Sequence, residues 1–201
     1  MADLNPIAPL DAADTHPLAG GACFSLANRL ERLAFGVVWA LLARWNPRGT
    51  MRGWRNALLR LFGARIARGA HVYPDVTVWL PRHLVMETGA TLGPGVDCYN
   101  MAPITLREGA IVSQRAFLCA GNHDHRDPAF QLITAPIEIG AKAWVAAEAF
   151  VGPGVTVGQG AVLAARGCAS RDLEPWSIHA GNPAVRVGTR QMREPGKSPN
   201  R

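Results

Sequence analysis

The sequence predicts an all-β solenoid: a parallel β-helix of hexapeptide repeats with a helical cap at its N-terminal end and one protruding loop. Three observations predict it. Apolar residues recur at a six-residue step between Ile66 and Ala169. The position after the apolar one is often small, as at Gly140, Ala146, Gly152, Gly158 and Ala164, and small or branched residues recur four places after it, as at Ala143, Ala149, Val155 and Ala161. The step stops once, inside GNHDHRDPAFQLITAPIEIG (Gly121 to Gly140), and resumes directly afterwards. A six-residue period matches neither a helix, at about 3.6, nor a strand, at about 2. It describes a chain that turns a corner every six residues, with an apolar side chain pointing inward from each short strand and a small one where the backbone bends. Three such units close a triangular coil, and coils stack around a column of Ile, Val and Leu.

Residues 1–21 contain Pro, Ala, Asp and Gly without a period and read as disordered. Their acidic start, with no basic stretch before an apolar run, argues against a secretory signal. A helical segment spans 22–63. Within it, Ser25 to Arg44 predict an amphipathic helix with Leu26, Leu30, Leu33, Val37, Ala40 and Leu41 on its apolar face. Pro47 and Gly49 break it, and MRGWRNALLRLFGA predicts a second, short helix ending near Gly63. Both apolar faces are expected to cover one end of the solenoid, with the arginine-rich faces in solvent. Docking on an anionic membrane surface is the alternative. The run LAFGVVWALLA (Leu33 to Ala43) is about half of the ~20 residues a membrane span requires.

The β-helix proper spans 64–184. Ile66, Val72, Val78 and Leu84 hold the step. Met86, Leu92, Cys98 and Ile104 resume it after a two-residue slip, and Leu106, Val112 and Leu118 after another. Beyond the loop (119–136) come Ile139, Val145, Val151, Val157, Leu163 and Ala169 without a fault. The stretch EPWSIHAGNPAVRVGTRQM (Glu174 to Met192) leaves the repeat, and 185–201 read as a C-terminal tail.

With 201 residues, 48% of them hydrophobic, the chain suits one domain with a sizeable core. The formal net charge of +6 favours anionic partners such as a phosphorylated cofactor or a membrane surface. Nucleic acid is set aside, because no aromatic–basic motif accompanies the charge. Cys23, Cys98, Cys119 and Cys168 have no CxxC or zinc spacing and read as reduced thiols of a cytoplasmic chain.

The segment from Pro136 to Ala184 resembles the hexapeptide-repeat O-acetyltransferases, relatives of maltose, galactoside and nodulation acetyltransferases. The colanic-acid-biosynthesis acetyltransferase group is the nearer match. Its WR..LLR.FGA pattern is found at Trp54 to Ala64, its SQ.A.LC.G.HD segment at Ser113 to Asp124, and its closing W.I.AGNPA at Trp176 to Ala184. The resemblance implies a left-handed β-helix, a homotrimer with active sites between subunits, acetyl-CoA as donor, and a catalytic histidine on the protruding loop. It also implies O-acetylation of a sugar in exopolysaccharide or other surface-glycan synthesis. The basic helices favour a lipid-linked acceptor at the inner face of the membrane.

Such a transfer asks little of the protein. The thioester is already activated, and the acceptor hydroxyl requires a base, for which a neutral histidine is suited. Direct attack then suffices, with backbone N–H groups of a β-helix turn facing the developing oxyanion. The resemblance puts His123, in GNHD, in the base's place; a merely solvated loop histidine is the bland alternative, and His125 is the reserve. Asp124 could orient an imidazole. Asn100, at a slip in the repeat, resembles an acceptor-site asparagine, with turn formation as the equal alternative. Trp144 matches an aromatic on the wall of the acceptor site, with core packing as its alternative.

For coenzyme A, small side chains would line a groove between two solenoids: Ala146, Ala147, Ala164 and Ala165, which repeat packing would equally place. ASRD stands where the family has VTKD, so Ser170 and Arg171 are phosphate candidates; Arg171 keeps the charge of the usual lysine but not its shape. Arg166 stands where the family usually has glycine, and either meets a phosphate or simply protrudes. Arg190 could reach the nucleotide 3′-phosphate. No metal is expected. A γ-carbonic-anhydrase-like zinc enzyme would need three histidines meeting between subunits, and His71, His83, His123 and His125 are not in that arrangement. A non-catalytic scaffold has no use for a polar, histidine-bearing loop.

Overall fold

In a computed structural model, which describes residues 12–19, 21–45 and 51–192, short strands stack into three parallel sheets that form the faces of a triangular coil. The first face holds β1 (Arg65–Ile66), β4 (Leu84–Met86), β7 (Ile104–Leu106), β12 (Ile137–Ile139) and β15 (Thr156–Val157). The second holds β2 (His71–Val72), β5 (Thr91–Leu92), β8 (Ile111–Val112), β13 (Trp144–Val145), β16 (Val162–Leu163), β18 (Ser177–Ala180) and β19 (Val185–Thr189). The third holds β3 (Thr77–Val78), β6 (Asp97–Tyr99), β9 (Phe117–Cys119), β14 (Phe150–Val151) and β17 (Cys168–Ala169). The six-step residues stack in register, as Val112, Val145 and Leu163 do. They are the core: all three are fully buried, each contributing about 1.5–3 kcal/mol of burial.

The two slips have a common physical basis. Ile66 to Met86 and Met86 to Leu106 each take twenty residues, whereas Ile139 to Val157 takes eighteen. On the first face Leu84 and Met86 both point inward, as do Ile104 and Leu106, and Ile137 and Ile139. The extra chain lies at the corner between the third and first faces. Pro81–His83 form a 3-10 turn there, residues 100–103 follow in the next coil, and the protruding loop follows in the one after. The loop is the longest of three expansions in a single column of corners. Asn100, fully buried, braces that column: Leu80 N–H donates to its Oδ1 at 3.0 Å, and its Nδ2 donates to the Leu80 carbonyl at 2.7 Å. His83 Nδ1 donates to the Asn100 carbonyl at 3.2 Å.

The N-terminal end is closed by helices. A single turn, α1 (Ala12–Thr15), and a 3-10 turn (Pro17–Ala19) occupy part of the stretch expected to be disordered; residues 1–11 lie outside the described residues. Helix α2 (Leu26–Leu42) starts at Ser25, whose hydroxyl accepts from Asn28 N–H at 3.3 Å. Helix α3 (Arg52–Leu61) lies over the open edge of the first coil. There Arg55 Nε donates to the Val72 carbonyl, Asn56 Nδ2 to the Ala70 carbonyl and Arg60 Nε to the Ile66 carbonyl, at 2.9, 2.8 and 2.9 Å. Those carbonyls would otherwise seek the strand of another coil. The arginines expected in solvent therefore include two that bind backbone.

The face that α2 buries also differs from expectation. Phe35, Trp39 and Ala43 are buried, with Phe35 against Phe62 at 5.3 Å between ring centroids. The expected face is exposed: Leu26 at 67%, Leu30 at 55%, Leu33 at 64%, Val37 at 50% and Leu41 at 63%. The helix carries two apolar stripes at helical spacing. The aromatic one buries more area per side chain, and it won.

At the far end, β18 pairs in parallel with β16, so Ser177–Ala180 stay in the stack that the sequence has them leaving. The chain then reverses, and β19 pairs antiparallel with β18. Val185–Thr189 are thus a closing strand, not part of a tail; residues 193–201 lie outside the described residues.

Candidate active site

The loop is a hairpin. β10 (Gly121–His123) pairs antiparallel with β11 (Leu132–Thr134), with Gly121 opposite Thr134 and His123 opposite Leu132. Ala120 N–H donates to the Tyr99 carbonyl, and Ala135 N–H to the Ala120 carbonyl, both at 3.1 Å, so the base is stitched to the expanded corner. Gly121 is seated so closely that an added Cβ would lie 2.4 Å from Met101 Sδ. The tip closes on itself. Asp124 Oδ1 accepts from Arg126 N–H at 3.0 Å, Asp127 Oδ1 accepts from Ala129 N–H at 2.9 Å, and Phe130, at φ +54°, turns the chain back.

His123 ends β10, half-buried. Its Nδ1 lies 2.9 Å from the Phe130 carbonyl oxygen, and its ring stacks on the Phe130 ring at 4.4 Å and 10°. A carbonyl oxygen can only accept, so this bond places a proton on Nδ1. The neutral imidazole then carries its lone pair on Nε2, the atom a general base requires. The orienting group is the Phe130 carbonyl; the Asp124 carboxylate shapes the turn. No residue pattern could have announced Phe130, because a backbone acceptor leaves no mark on residue type. His125 is exposed at the tip.

Against the hairpin's base lies a cavity of about 450 Å³, lined by Cys119, Asn122, Thr134, Phe150, Gly152 and Ser170, among others. Ser170 thus shares a wall with Asn122, the neighbour of His123 in β10, and Arg171 follows it, exposed. The Cys119 thiol donates to the Gly121 carbonyl at 3.1 Å, and burial pushes its pKa up, so it stays protonated.

Other candidates fall elsewhere. Ala146, Ala147, Ala164, Ala165 and Arg166 occupy the corner between the second and third faces. Ala146 is buried, Ala147 and Ala164 are half-buried, and Ala165 is exposed. Beside them Glu148, which sequence reasoning missed, accepts from Arg166 Nε at 2.6 Å and Arg115 Nε at 2.9 Å. Those two guanidiniums, Arg166 foremost, hold its carboxyl below the usual range. Arg190 lies at the third corner, where its Nη1 donates to the Lys142 and Gly160 carbonyls at 2.8 and 3.1 Å. There it ties β19 to the coils, away from Ser170. Trp144 stands on the outer surface of the second face, 43% exposed, its Nε1 donating to Ser113 Oγ at 2.8 Å; it is not core packing. Asn100 is buried with its amide committed to the Leu80 backbone of the neighbouring coil, a brace between two corners rather than a local turn-forming bond. One chain therefore joins the histidine hairpin to Ser170, but not to the alanine corner, Trp144 or Arg190. Among the described residues no group of three or more His, Cys, Asp or Glu could hold a metal ion.

The stacked faces and the hairpin define a parallel β-helix with one excursion, and known proteins share it. No protein-family profile matches the chain. It is 36% identical over 167 residues to "Putative colanic acid biosynthesis acetyltransferase WcaF" of Escherichia coli (strain K12), covering 83% of this chain and 91% of that protein. The fold is similar to a maltose O-acetyltransferase from Clostridium difficile 630, with a TM-score of 0.73 and 16% identity over 84% of this chain and 90% of that one. It is equally similar to a hexapeptide-repeat-containing acetyltransferase from Vibrio cholerae O1 biovar eltor complexed with acetyl coenzyme A, with a TM-score of 0.74 and 18% identity over 91% and 100%. The chain belongs to the hexapeptide-repeat acetyltransferases, in the colanic-acid-biosynthesis group, and its fold is the left-handed β-helix. It is an acyltransferase.

Proposed function

We propose that this enzyme acetylates a sugar hydroxyl, with His123 as general base, in exopolysaccharide or other surface-glycan synthesis on the cytoplasmic side of the membrane. The observation that carries the reading is the 2.9 Å bond from His123 Nδ1 to the Phe130 carbonyl, which leaves Nε2 free to accept. His123 takes the proton of the acceptor hydroxyl and returns it to the departing thiolate sulfur, which balances the transfer without an acyl-enzyme. Ala147, half-buried, and Ala165, exposed, are small side chains that fit the pantetheine arm, while Ser170, Arg171 and, beside Glu148, Arg166 offer polar and cationic groups to the phosphates. The hairpin and the alanine corner occupy different corners of one coil. That separation supports a homotrimer in which each hairpin meets a neighbouring copy's alanines. The polysaccharide role is supported by the name of the Escherichia coli relative.

His123→Ala should lower transfer by roughly 10²–10⁴-fold, the usual contribution of a positioned base. Coenzyme A binding and assembly mass should be unchanged. The assay is thiol release from acetyl-CoA across a panel of sugar acceptors; a variant retaining a substantial share of wild-type rate would remove His123 from the base's place.

A further inference from the structure

Helix α2 carries two apolar stripes, and the solenoid uses one. The other, Leu26, Leu30, Leu33, Val37 and Leu41, is 50–67% exposed along the whole 17-residue helix. At about 1.5 Å per residue it forms a ridge about 25 Å long. The helix's one acid, Glu31, lies off this ridge and is paired with Arg82 at 2.8 Å. Arg29 and Arg44, both exposed, flank the ridge near its two ends. Trp45, 73% exposed, stands at its C-terminal end beside Trp54, whose indole N–H donates to the Leu42 carbonyl at 2.8 Å.

The charge is equally lopsided. Residues 16–74 hold nine of the chain's 21 Lys and Arg and one of its 15 Asp and Glu, so the rest of the chain is slightly acidic and the whole positive excess sits at the helical end. An aliphatic ridge edged by arginine and tryptophan, without a carboxylate, matches a helix lying in the headgroup boundary of an anionic bilayer. A second copy of the chain matches it poorly, because two such faces would bring arginines together with no acid to receive them. No helix among the described residues is long and apolar enough to cross a membrane.

We infer that α2 docks the enzyme on an anionic membrane surface, with Leu26, Leu30, Leu33, Val37 and Leu41 entering the acyl boundary and Arg29, Arg44 and Trp45 at the headgroups. The inference rests on the membrane-side part of the function proposed above. It fixes where the membrane lies on the molecule: against the N-terminal cap.

The test is flotation with phosphatidylcholine vesicles and with vesicles of phosphatidylcholine and phosphatidylglycerol in equal parts. The full chain should float with the mixed vesicles and not with phosphatidylcholine alone. Arg29→Gln and Arg44→Gln should each weaken binding about fivefold. The double variant Leu33→Glu/Val37→Glu should lose it; both side chains are exposed, so its melting temperature should hold. Thiol release with a soluble acceptor should match wild type in that variant. Wild-type protein that ignores mixed vesicles, or a double variant that binds like wild type, overturns the inference. So does a double variant of lower assembly mass, because the ridge would then be an interface between copies. If no sugar is acetylated, the reading of function fails while the flotation result stands.

Discussion

Asn100 and His123 sit in the same column of expanded corners and use their polar atoms in opposite ways. Asn100 spends its whole side chain on Leu80, which is itself fully buried. His123 spends one ring nitrogen on Phe130 and leaves the other. Asn100→Ala would leave a buried N–H and a buried carbonyl without partners, at about 1–3 kcal/mol each. We expect unfolding free energy to fall by about 2–5 kcal/mol, with the acceptor KM of the folded enzyme unchanged. Denaturation and steady-state kinetics measure the two separately. An undiminished stability with a raised KM would return Asn100 to the acceptor site.

At the scale of elements, the small residue after each inward one has a cause that differs with position. At Gly140 an added Cβ would lie 2.7 Å from Gln159 N and 2.7 Å from the Val157 carbonyl, both backbone of the next coil. Backbone in a stacked coil cannot yield as a side chain can, so Gly140→Ala should destabilise the protein by about 1–3 kcal/mol. Gly36, in α2, has nothing within 4 Å of such a Cβ. Gly36→Ala should therefore stabilise it by about 0.5–1 kcal/mol through helix propensity alone. Melting curves of the pair check both signs, and a destabilising Gly36→Ala would mean that α2 packs differently. The coils were legible because a solenoid writes its core as a linear column, and even the slips at Leu84/Met86 and Ile104/Leu106 marked the corner from which the hairpin grows. The place of His123 on the excursion was legible through the break in the step around it. The buried face of α2 was not, because both of its stripes obey the same period. Nor was Arg190, whose partners are carbonyls, or the closing strand Val185–Thr189, which pairs antiparallel and so carries no six-residue step.

Over the whole molecule, stability is close to a sum of coils and the contacts between neighbours, so the weakest coil decides where opening begins. Acid should choose the N-terminal end. His71 lies in the first coil, where burial and then the charges of Arg52 and Arg55 hold its pKa below the ordinary range; its ring stacks on Tyr73 at 4.4 Å. His83 lies in the corner above, where burial lowers its pKa although the carbonyl of Asn100 and, more weakly, Glu31 act in the opposite direction. No histidine occurs between Ile139 and Leu173. A histidine depressed in the folded state stays neutral there, while the unfolded chain takes up its proton near pH 6.5. Stability is thus fully present above about pH 6.5 and is lost as pH falls through that value, by at most about 1.4 kcal/mol per pH unit for each imidazole. Amide exchange corrected for intrinsic rates, compared at about pH 7.5 and about pH 5.5, should show amides of 65–86 losing protection before those of 143–163. His83→Gln, which keeps a donor for the Asn100 carbonyl and cannot titrate, should roughly halve the acid slope. Even loss along the axis, or loss starting in the Ile139 to Leu163 coils, would show that these two imidazoles do not govern acid opening.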